Sequence, residues 1–126
     1  MKHARREARS LTFFFVALLI GACASGPPVP DWESNAKTSM DHAVAAYLAG
    51  DTRLADSDFE RARSEIARTG RIDLLGRAEL VRCAARVASL VFEPCEGFEK
   101  LRADAPAVER AYADYLAARV QPQDIA

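Results

Sequence analysis

The chain has 126 residues, with 17 basic and 18 acidic side chains, a formal charge of −1 and two histidines. That length supports one hydrophobic core and not two, and a near-neutral balance offers no basic stripe for nucleic acid. Past Pro30 the composition is rich in Ala, Arg, Leu and Glu and poor in β-branched residues, which favours an all-α domain.

The first segment is residues 1–22. Lys2, Arg5, Arg6 and Arg9 form a basic cluster, followed by an apolar run from Leu11 to Ile20. A spanning helix needs roughly twenty apolar residues, and this run is about half that, the length of a signal-peptide core. It stops at Ile20-Gly21-Ala22-Cys23. That tetrapeptide resembles the lipobox of bacterial lipoproteins, with Gly21 where Ala or Ser is commoner. The resemblance implies that Cys23 carries diacylglycerol, that the leader is cut before it, and that the new amine is acylated. An ordinary secretory leader cut near Ala22 or Ala24 is the alternative. Cleavage before Cys23 leaves 104 residues with 13 basic and 17 acidic side chains, a formal charge of −4. A domain of that charge is mildly repelled by an anionic membrane, so the lipid rather than charge would hold it there.

Residues 23–30 read as the lipidated cysteine and a tether. Pro27, Pro28 and Pro30 deny a helix and favour an extended path. Seven residues at about 3.1 Å each reach only ~20 Å, which keeps the folded part close to the bilayer. Ala24, rather than Asp, follows the cysteine; the lipoprotein resemblance then implies the inner leaflet of the outer membrane, facing the periplasm.

The helical domain is expected over 31–120. Asp31 caps a first helix from Ser34 to Ala49, with Ala36, Met40, Ala43, Val44 and Tyr47 as its apolar stripe. Trp32 packs over the start of that helix as a core anchor or stands exposed as a contact residue. His42, the one histidine after cleavage, reads as a solvated helix residue. Gly50 ends the helix, and Asp51 or Thr52 caps a second that runs to Arg68 with Ala55, Phe59, Ala62 and Ile66 on one face. Asp56 and Asp58 lie two apart and point to different sides of a helix, which argues against a metal site.

Residues 43–62, AVAAYLAGDTRLADSDFERA, resemble a tetratricopeptide repeat. Ala43, Gly50, Ala55, Phe59 and Ala62 match that repeat's small and aromatic positions, whereas Tyr47 is one place late and Ala67 stands near where proline is usual. The resemblance implies antiparallel hairpins of closely packed helices. A shift of 68 residues, twice the repeat length, aligns Ala43, Ala45, Tyr47, Leu48 and Ala49 with Ala111, Ala113, Tyr115, Leu116 and Ala117.

A third helix is expected from Asp73 to Phe92, apolar on more than half its circumference and therefore central. Arg82 and Arg86 share a face on it and either snorkel to solvent or line a groove for an acidic partner. Pro94 breaks the chain. A short helix, Gly97 to Arg102, and a last helix, Pro106 to Arg119, follow. Val108, Ala111, Tyr112, Tyr115 and Leu116 read as its buried stripe, and residues 121–126 as a frayed tail. The fold expected is a small antiparallel helical-hairpin bundle of four to five helices.

With Cys23 lipidated, Cys83 and Cys95 remain as an even pair in an oxidising compartment. A chain reversing at Pro94 brings them together as a disulfide. Two buried thiols are the alternative; a redox pair is disfavoured because such pairs usually show Cys-x-x-Cys spacing. The chain has no glycine-rich phosphate loop, His-Glu-x-x-His motif or nucleophile elbow. Neither an enzyme nor a cofactor or metal is expected. The reading is a lipid-anchored interaction or accessory module that binds another envelope protein, with Trp32, Tyr47, Arg82 and Arg86 as candidate contacts. The alternative is a structural or stress-related envelope lipoprotein without a dedicated partner.

Overall fold

A computed structural model describes residues 26–119. The leader, Cys23 and the tail 121–126 lie outside the described residues. Within them the protein is all-α, with helices α1 (Asp31–Leu48), α2 (Thr52–Ala67), α3 (Ile72–Ala88), α4 (Glu96–Glu99) and α5 (Ala107–Leu116), and a 3₁₀ turn at Arg102–Asp104 before α5.

Helix α1 starts three residues earlier than expected. Pro30, at φ −58° and ψ 144°, takes the capping place with no side-chain bond. Its carbonyl accepts from Glu33 and Ser34 N–H at 3.0 and 3.2 Å. Asp31 is therefore not a cap but the first helical residue, and with Glu33 it puts negative charge at the positive end of the helix dipole. The helix ends in a Schellman closure: Gly50 is at φ +86°, and Asp51 N–H reaches back to Ala46 O at 2.9 Å. Asp51 does cap α2, its carboxylate accepting from Leu54 N–H at 2.9 Å.

The hairpin packs through small residues. Ala36, Ala43 and Ala46 of α1 are buried, as are Ala55, Phe59, Ala62 and Ile66 of α2. The α2 face is the expected one. The α1 face is rotated from expectation: Ser39 and Ala46 are buried, whereas Met40, Val44 and Tyr47 are half-buried at its edge. Close backbone approach favours the smallest side chains, and the bulky ones are displaced sideways.

Helix α3 joins two core clusters. Ala78 belongs to the first, with Ala36, Ala43, Phe59 and Ile66. Leu80 and Cys83 belong to the second, with Cys95, Phe98, Ala105 and Ala113. The helix stops at Ala88 and not near Phe92, because Leu90 turns left-handed at φ +63°. Val91 N–H then bonds Arg86 O at 2.9 Å, and residues 91–95 run back without helix to put Cys95 beside Cys83.

The largest departure from expectation is α5. Val108 and Tyr115 are 67% and 66% exposed, and Tyr112 and Ala111 are exposed too; of the expected stripe only Leu116 is half-buried. The buried positions are Ala113, at 1% exposure, and Glu109, at 6%. Polar links hold α5 in this rotation. Arg77 Nε of α3 donates to Glu109 Oε1 at 2.6 Å, and Arg102 Nη2 donates to Asp114 Oδ1 at 2.9 Å. With Ala113 against the core, α5 approaches α3 closely and turns its bulky apolar residues outward.

Candidate functional site

The reversal after α3 is tied by a Cys83–Cys95 disulfide with a Cα–Cα distance of 5.5 Å, within the range that the bond permits. Both cysteines are buried.

Three of the four candidate contact residues come together. Tyr47, Arg82 and Arg86 line one cleft between α1, α2 and α3, floored by Ala55 and Phe59. Its cavity volume is about 50 Å³, space for water but not for a partner's side chain. Both arginines are engaged within the chain. The Arg82 guanidinium lies 4.5 Å from the centre of the Phe59 ring and donates to Asp56 Oδ1 at 2.6 Å. Arg86 donates to Glu93 Oε2 at 2.5 Å. Trp32 does not join them; it is half-buried in the first turn of α1, and fifteen residues of helix, roughly 22 Å, separate it from Tyr47.

A polar cleft lies between α2, α3 and α4, with a cavity volume of about 780 Å³. Its centre is Glu79, buried and 2.9 Å from Arg63 Nε. A Cβ on Gly97 would overlap the Glu79 carboxylate, so a side chain there would require the end of Glu79 to shift. Burial pushes the Glu79 pKa up, with Arg63 and Arg82 opposing. Of the cleft's four cations, Arg63, Arg82 and Arg86 each face a carboxylate and Lys100 lies beside them, so it presents mixed charge.

The third cleft was not foreseen. Helices α1 and α5 flank α3 on one side and leave an open groove of about 610 Å³. Val81, Ala84 and Ala88 of α3 form its floor, Val44 and Leu48 of α1 one wall, and Val108 and Tyr112 of α5 the other. Leu48, Val81, Val108 and Tyr112 are all exposed, and Tyr112 stacks on Tyr115 with ring centres 6.2 Å apart. A contiguous apolar surface of this kind marks an interaction site more often than scattered exposed residues do. Two polar side chains line it, Arg77 and Glu109. The Arg77 side chain is 61% exposed while its partner Glu109 is buried, and Glu109 Oε2 has no hydrogen-bond partner.

The groove was missed because Val108, Tyr112 and Tyr115 have the spacing of a buried stripe. The signal that could have found it is Glu109, Ala113 and Leu116, the same spacing with a charged member. Among the described residues no three His, Cys, Asp or Glu side chains are grouped to hold a metal, and no helix is long and apolar enough to cross a membrane. His42 is exposed on α1. No protein-family model, curated protein or solved structure matches the chain.

Proposed function

We propose that this chain is a membrane-anchored periplasmic helical lipoprotein that acts as a protein–protein interaction module in the bacterial cell envelope. The observation that carries the interaction reading is the α1/α3/α5 groove, whose apolar walls stand in solvent on a domain small enough to need every apolar contact for its core. The lipobox-like Ile20-Gly21-Ala22-Cys23 supports the anchor, and the Cys83–Cys95 pairing suits an oxidising compartment. Attachment through Cys23 and the short Pro-rich tether would hold the groove close to the membrane, where its partner would be another envelope protein. The tetratricopeptide-like reading of the α1–α2 hairpin fits its small-residue packing, and α5, 68 residues after α1 in register, stands on the same side of α3 as α1.

Two variants test the proposal. Cys23→Ser should lose metabolic labelling by an alkynyl palmitate and move from the membrane to the soluble periplasmic fraction; unchanged label and fraction would refute the anchor. Ala88→Glu places a carboxylate on the groove floor, where Ala88 is exposed. It should abolish co-purification of an envelope protein with the full-length chain while shifting the melting temperature little. Retention of the same co-purifying protein by Ala88→Glu would refute the groove as its site.

A further inference from the structure

We draw no further inference here: the strongest candidate, the open apolar groove between α1, α3 and α5, belongs to the site already described, and nothing in the structure shows what covers it, since its one exposed charge, Arg77, is already paired with the buried Glu109.

Discussion

The α1–α2 hairpin and the α4–α5 segment hold together by different means. The hairpin is zipped along its length by small apolar residues, Ala36, Ala43 and Ala46 against Ala55, Phe59 and Ala62. The C-terminal segment is held at points: the Cys83–Cys95 bond, the fully buried Phe98, Ala113, and the ion pairs of Arg77 and Arg102. The zipped α1 buries its small residues along its length and leaves bulky ones such as Met40, Val44 and Tyr47 half-buried at the edge. In α5, which is held at points, Val108, Tyr112 and Tyr115 stand in solvent, and the first two form a groove wall instead of closing the core.

The largest test of the contrast is the two phenylalanines. Phe59→Ala and Phe98→Ala should each cost about 3–5 kcal/mol, since both rings are essentially buried. They should differ in what is lost. Phe59 lies in the cluster that α3 shares with the hairpin, so its loss should lower protection from hydrogen exchange throughout. Phe98 lies in the second cluster, so its loss should leave α2 amides more protected than those of α5. Equal loss in both variants would mean one cooperative unit.

Removing the disulfide sharpens the same point at lower cost. Cys83→Ala with Cys95→Ala opens a crosslink spanning 12 residues, worth about 3 kcal/mol in the chain-entropy account. Urea unfolding should show that loss. Native-state exchange should show α4 and α5 amides opening well before those of α2, and uniform opening would count against an independently held segment.

The same contrast explains how much was legible in the sequence. Helix α2 was readable because Ala55, Phe59, Ala62 and Ile66 lie on one face and only Leu54 and Ala67 are apolar outside it. The Cys83–Cys95 pairing was readable because Pro94 forces a reversal between them. Helix α3 announced itself as central, but a surface apolar on more than half its circumference does not say which neighbour takes which side. The rotation of α5 was unreadable from apolar spacing because a buried glutamate and an alanine, Glu109 and Ala113, occupy the contact. Their role depends on Arg77, 32 residues away in the chain. The groove shared that fate, and Arg82 and Arg86 looked free for a partner only because Asp56 and Glu93 were not visible as theirs.

Acid titration gives a smaller, signed test. Glu79, where α4 meets α3, has its pKa raised chiefly by burial. Its charged form is thus disfavoured in the folded state, and this penalty is relieved as pH falls through the folded value toward the ordinary glutamate range. Glu99 and Asp114, which fasten the last turn of α5, behave oppositely. Hydrogen bonds from Arg102 hold both below their ordinary values. Their contribution is full above the unfolded range and is lost as pH falls through the folded pKa. Glu79→Gln should therefore raise the urea midpoint at pH 7. That gain should shrink toward pH 4. A gain that grew on acidification would contradict the assigned role of burial.

The smallest effect concerns how α3 ends, the event that sends the chain back to its disulfide. Leu90 stands at φ +63°, a left-handed backbone that costs a residue with a Cβ about 1–2 kcal/mol. Its side chain is exposed, so no packing repays the strain. The equivalent position after α1 is Gly50, at φ +86°, and there the strain does not arise. Leu90→Gly should relieve it, against a loss of about 0.5–1 kcal/mol from the extra freedom of glycine in the unfolded chain. The net expectation is a gain of about 0.5 kcal/mol, read as a higher urea midpoint with an unchanged slope. Gly50→Leu should destabilise by about 1 kcal/mol for the same reason. A destabilised Leu90→Gly would mean that the Leu90 side chain makes a contact that the isolated domain does not reveal, and the exposed end of α3 would then become the next surface to probe for a partner.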